Sequence, residues 1–180
     1  MRLLFALFAT LALALPAAAR PLTGAETRSL EKALRAFDRA LTGRDSARLV
    51  AAIPPRIIAM IAGQSGMELA ALQKAMAEQS DAALAGVTFT DLTTDPSRAD
   101  ATTAAMADGS SVTWALVPVS FVMDKDGKRQ LFRQTILALS EAGTWYLLRI
   151  EDPQQRDLVA AVYPFLADVA IPPTEVGPAP

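Results

Sequence analysis

The sequence predicts an α+β fold, and three observations predict it. Apolar residues recur at three- and four-residue steps through the first half of the chain, then switch to a two-residue period after Gly86. Short turn signals punctuate the second half, at Asp108-Gly109, Asp126-Gly127 and Glu141-Ala142-Gly143. Helices therefore come first and hairpin-joined strands follow, the order expected of helices packed on one face of an antiparallel sheet.

The first segment stands outside that fold. Arg2 is a short positive region, Leu3 to Leu15 is apolar but for Thr10, and Pro16 precedes the small-residue run Ala17-Ala18-Ala19. This is the order of an export signal, cleaved between Ala19 and Arg20. The apolar run is shorter than the roughly 20 residues needed to span a bilayer. No cysteine follows it, which excludes a lipid-anchored form, and no later run is long and apolar enough to span. The expected location is periplasmic. Residues 20–170 are expected to form one domain, and 171–180 a Pro-rich tail, disordered or loosely docked.

The elements then follow in order. Thr23 and Glu26 have capping-box spacing, and Leu30, Leu34, Phe37 and Leu41 give the first helix one apolar face. Gly43 stops it. Asp45 or Ser46 caps a short second helix ended by Pro54-Pro55. Arg56 to Ala62 is a short helix, and Met67 to Leu84 a long one. Strands are expected over 87–92, 99–107, 112–123, 130–140 and 144–151. Pro118 lacks an amide hydrogen, so a bulge or bend is expected there. Asp152, Pro153 and Gln155 have the spacing of a helix start, and Leu158, Val162, Phe165 and Leu166 are its apolar stripe.

Composition removes several classes of chemistry. Cleavage leaves 161 of 180 residues, and losing Arg2 takes the net charge from −2 to −3. That charge draws the chain neither to nucleic acid nor to anionic lipid. There is no cysteine and no histidine. Disulfides, thiolate metal sites and nucleophile systems built on Ser–His or Cys–His are therefore impossible. No phosphate loop or metal-spacing motif occurs, and Asp124, Asp126 and Gly127 read as turn residues. No cofactor and no metal are expected.

Three stretches carry a likeness to a known group. They are Phe37-Asp-Arg-Ala-Leu-Thr-Gly-Arg-Asp45, the Gly66 turn into a long helix, and the closing hairpin Ser140-Glu-Ala-Gly-Thr-Trp145-Tyr146-Leu-Leu-Arg149-Ile150. Over Thr23 to Asp152 the chain resembles the NTF2-like superfamily, whose fold is also called cystatin-like. The resemblance implies helices in the concave face of a curved sheet, forming a cone, here with an extra C-terminal helix. Many such domains pair sheet to sheet, so it also allows a homodimer.

Enzymes of that group place an Asp, Tyr or His at the floor of the cone. Here the candidates are Asp38 and Tyr146, acting as an isomerase- or dehydratase-type pair. The competing reading of Asp38 is a boundary residue paired with Arg35 or Arg39. Asp91 reads as turn chemistry, and Glu151 as a partner of Arg149 or Arg156. Mid-strand arginines among apolar neighbours either reach solvent or read an anion inside a cavity. Met60, Trp114, Arg133, Tyr146 and Arg149 are therefore the candidate ligand-binding set, although core packing explains most of the aromatic residues. Absence of histidine and cysteine weighs toward a non-catalytic module. It would bind a small apolar or acidic ligand, or an envelope protein. An envelope accessory protein without a ligand is the alternative, and the Asp–Tyr enzyme a further one.

Overall fold

The computed structural model describes residues 19–180, so the charged and apolar parts of the expected export signal lie outside the described residues. The fold is α+β, with an open antiparallel sheet of seven strands and a C-terminal helix. The chain opens with β1 (Arg20–Pro21), then α1 (Gly24–Thr42), α2 (Ser46–Ala51), α3 (Pro55–Ser65) and α4 (Leu69–Leu84). β2 (Val87–Thr94), β3 (Asp100–Ala105), β4 (Ser111–Lys125), β5 (Lys128–Glu141) and β6 (Thr144–Leu148) follow, then α5 (Pro153–Val162) and β7 (Glu175–Pro178). Every expected helix is present, with boundaries moved by a few residues.

The capping box at α1 forms as expected: Glu26 N–H donates to the Thr23 hydroxyl, and the Glu26 carboxylate accepts from Thr23 N–H. Arg20 adds a bidentate contact to the same carboxylate at 2.7 and 2.8 Å. That guanidinium, with the Thr23 donors, holds the Glu26 carboxyl at about 2. The sequence showed no strand at Arg20, yet Arg20 and Pro21 pair with Ala101 and Asp100 at the edge of β3. Arg20, the residue expected to be first after cleavage, is thus part of the sheet.

β4 and β5 are the spine. They stay in register from Val112 opposite Glu141 to Lys125 opposite Lys128, straight through Pro118 opposite Thr135. The bulge expected at Pro118 is therefore not there. It falls instead in β2, where register shifts between Thr90 and Thr93 and Asp91 takes a φ of 55°. Pro118 needs no bulge because it sits where β4 changes outer neighbours. β3 pairs as far as Ala115 and β2 starts at Val119, so no ladder partner on that side awaits its amide.

The expectation of helices on one face of the sheet is overturned. Leu30 and Leu34 of α1 pack on Ala115, Val117, Ile136, Ala138, Trp145 and Leu147. The alternate residues Val112, Trp114, Leu116, Leu137, Leu139 and Leu148 pack against Ile57 of α3 and Val159 and Tyr163 at the end of α5. Successive strand residues face opposite ways, so the sheet is covered on both sides at its β6 end. The sequence carries the signal for this. Ile136-Leu137-Ala138-Leu139 is an unbroken apolar run, all of it buried, and such runs mark strands with two buried faces. α4 lies outside this core and packs on α2 and α3 through Leu72, Val50, Ile58 and Ala62.

The tail is docked rather than disordered: residues 175–178 form β7 on the outer edge of β5, with Glu175 opposite Arg133 and Pro178 opposite Gln130. The last hairpin strand ends at Leu148 rather than Glu151.

Two hairpin turns follow their sequences closely. Asp126 and Gly127 both have positive φ, the type I′ pattern. Ala142 and Gly143 do the same, and at Ala142 a φ of 48° strains an ordinary Cβ. Ala142→Asn, which suits that conformation, is expected to raise stability by up to about 1 kcal/mol. Urea unfolding of the two proteins, compared at constant m-value, measures it.

Candidate functional site

The space between α1 and the sheet is filled by side chains. Leu30 is fully buried there, and Trp145 donates through Nε1 to the Ser29 hydroxyl at 2.9 Å. A shallow groove of about 230 Å³ remains beside Phe37 and Trp145, where Ala33, Ala52 and Leu147 complete its wall. Asp38 and Tyr146 do not converge. Asp38 is on α1, which covers the Trp145 and Leu147 face of β6, and Tyr146 alternates to the opposite face. Asp38 forms no ion pair among the described residues; Arg35, offered as its partner, pairs with Glu31 instead. Glu151 pairs with Arg149 as expected, which places Arg149 at the exposed end of β6 rather than in a cavity.

Nor do the other candidate ligand residues meet in one site. Trp114 is packed in the cluster with α3 and α5, and Met60 is half-buried on α3. Arg133 shares the sheet face of Trp114 and Tyr146 but lies six rows along the ladder, roughly 20 Å away. It is exposed, and it makes no hydrogen bond or ion pair among the described residues.

Arg133 does line a groove, of about 370 Å³. Its position follows from the sheet. β3 and β2 leave Leu116 to Pro118 without an outer neighbour on β4, and β6 and β7 leave Gln134 to Ile136 without one on β5. These gaps lie opposite each other in the ladder, so the sheet narrows to two strands at the Pro118–Thr135 pair. The groove crosses this waist between Thr93 and Asp95 on one side and Glu175 on the other. Pro118, Ser120, Arg133 and Thr135 share its face. The α3 and α5 cluster stops short of them. Ser120 and Thr93 join hydroxyls at 2.7 Å. The Oε1 of Gln134 is buried without a hydrogen-bond partner.

Sequence reasoning missed a second polar group, at the covered end of the same face. Tyr163, 0 % exposed, donates its hydroxyl to Glu141. Arg56, near the start of α3, lies 3.4 Å from the other Glu141 oxygen and donates to Asp108 at 2.8 Å and to Ser110 at 3.1 Å. Asp108 also accepts from the Ser110 amide and hydroxyl. Those Ser110 donors, then Arg56, hold the Asp108 carboxyl well below the usual carboxylate range. Burial, reinforced by Glu141, pushes the Tyr163 hydroxyl well above the ordinary tyrosine value. No sequence motif flags this group, because the contacts that join its elements link residues 22 to 85 positions apart. It ties α3, the β3–β4 turn, the end of β5 and the end of α5 together, with every polar group answered, and reads as a clamp.

Among the described residues, no helix is long and apolar enough to cross a membrane, and no three His, Cys, Asp or Glu side chains cluster to hold a metal. The chain matches no family model, no curated protein and no solved structure.

The clamp has a pH signature. The folded state keeps the Tyr163 proton that the unfolded chain releases near pH 10, so this contribution is complete below about pH 10 and is lost as pH rises beyond it. Tyr163→Phe is expected to cost about 1 kcal/mol at neutral pH and to flatten the loss of stability in alkali. Thermal melts of both proteins on either side of pH 10 check both parts.

Proposed function

We propose that the chain is an exported, non-catalytic binding module of the bacterial cell envelope, and that the groove at the sheet's waist is where it meets its partner. The observation that carries this reading is the groove itself. It is the place where an unpaired guanidinium, the Thr93–Ser120 hydroxyl pair and an uncovered strip of sheet coincide, while the space beneath α1 is filled. A filled interior favours a partner bound on the surface over a small ligand swallowed by a cone. The isomerase-like alternative loses its support, since Asp38 and Tyr146 stand on opposite faces of the sheet.

Export is read from residues 1–19, and the start of the fold is in keeping with it. Arg20 is built into β1 and into the ion pair with Glu26, so cleavage after Ala19 leaves the domain whole. We also read the chain as an NTF2-like relative. The order of helices before an antiparallel sheet, and α1 lying across one face, support that reading. The second layer of α3 and α5 is this chain's own addition to it.

Two experiments bear on these readings. Expression of the full chain with its own N-terminus in a bacterial host is expected to yield a periplasmic protein whose intact mass begins at Arg20; a cytoplasmic product retaining Leu3 to Leu15 sinks the export reading. A photo-crosslinking residue at Thr135, in living cells, is expected to capture an envelope partner. Arg133→Glu is expected to reduce that capture at least tenfold, as for loss of a charge-assisted contact worth ~1.5 kcal/mol or more. Identical capture from a control position on α4, such as Lys74, removes the groove from consideration.

A further inference from the structure

β7 is an unusual strand to find at the end of a chain. Its residues bury almost nothing: Glu175, Val176 and Pro178 are exposed, Val176 by 51 %. What holds it is its main-chain ladder to Gln130–Arg133, which sets Glu175 in register opposite Arg133 without an ion pair between them. That register position lies in a basic stretch of β5, beside Lys128 and Arg129. A strand held by a short exposed ladder opens at little cost.

β7 also stops early. Its ladder runs toward the waist and ends at Glu175, because the residues that would continue it are Thr174, Pro173 and Pro172. Prolines have no N–H to donate and cannot extend a ladder. Gln134 to Ile136 of β5 are therefore left without a strand partner, although the edge continues unbroken. The chain's own tail fills four of the seven positions this edge offers.

We propose that the Gln130–Ile136 edge of β5 is a strand acceptor for an extended, acidic segment of a partner protein, and that β7 is its displaceable internal occupant. This rests on the partner-binding reading above and names the partner's chemistry. A segment free of prolines pairs with all seven residues, and this is how it outcompetes a tail that is present at the high effective concentration of a tethered strand. An acidic side chain at the position of Glu175 meets Arg133, and its neighbours reach into the waist groove. The prolines at 172 and 173 thus keep the tail a weak occupant, strong enough to cover the edge against self-association yet unable to close it.

The test uses the mature chain and two fluorescent synthetic peptides. One has the sequence of residues 171–180; the other carries Pro172→Val and Pro173→Thr. The second is expected to bind at least tenfold more tightly than the first. Hydrogen exchange is expected to show new protection at Gln134–Ile136 together with lost protection at Val176 and Gly177. Val176→Pro, which removes a β7 amide without shortening the chain, is expected to tighten binding of both peptides, and Arg133→Glu to weaken it. Equal affinities for the two peptides, or saturation without new protection at Gln134–Ile136, overturn the proposal. So does a concentration-dependent dimer that vanishes when residues 171–180 are removed, because it assigns the edge to a second copy. The outcomes are separable. Thr135 crosslinks that persist unchanged in the Val176→Pro chain, with no strand exchange, leave the groove standing and remove only the acceptor edge; no crosslinks at all remove the groove itself.

Discussion

β4 and β5 run side by side for roughly 45 Å of continuous ladder, and among the described residues no other strand is long enough to match them. Backbone amides and carbonyls along both outer edges still need partners. The chain meets that demand with pairs of short strands, β3 and β2 beside β4, β6 and β7 beside β5. Two short strands laid end to end leave a seam. Both seams fall at the same rows of the ladder, which creates the waist. Pro118 is tolerated in the middle of a long central strand for this reason alone.

The two ends of the spine are consequently different materials. At the β6 end both faces are apolar and both are covered, α1 on one side, α3 and α5 on the other. Tyr163, Glu141, Arg56 and Asp108 close that end. Four segments meet there, and Tyr163, the buried member, has Glu141 as its partner, while Arg56 and Asp108 carry the group out to the solvent-exposed side. Leu147 at the β6 edge even donates its amide to Ala52 O at 2.8 Å, so the linker before α3 finishes the sheet on that side. At the β7 end the edge is finished by four residues, three of them exposed, and the face between carries Arg133 with no side-chain partner. Rigidity is concentrated at one end and availability at the other, the division expected of a scaffold that presents a binding surface.

Much of the fold was legible in the chain because it is written locally. Capping boxes, prolines at helix starts and Asx-Gly turns act within a few residues, and Thr23, Pro153 and Gly127 each do what their neighbours predict. The helix-to-strand switch at Gly86 is equally local, being a change of period. The two-face burial of the sheet was also present, in Ile136-Leu137-Ala138-Leu139, but the turn signals on either side favoured the simpler one-sided reading. The candidate site was legible only in part. Arg133 stood out as a charge in an apolar strand, whereas Trp114, Tyr146 and Arg149, singled out with it, proved to be core, core edge and ion pair.

The sequence by itself determined which segments are helix and which are strand, and it determined the chemistry withheld from the protein by the lack of histidine and cysteine. It also set the expectation that Arg20 follows an export signal. Only the tertiary structure decided that the sheet is buried on both faces, that Asp38 and Tyr146 are kept apart, that Tyr163 reaches Glu141, and that a proline-rich tail becomes a strand. The reason is range. Periodicity and capping are set by neighbours in the chain, while the choice of face, of edge and of partner depends on which distant segments compete for the same backbone groups, and that competition is settled only when the whole ladder has been laid down.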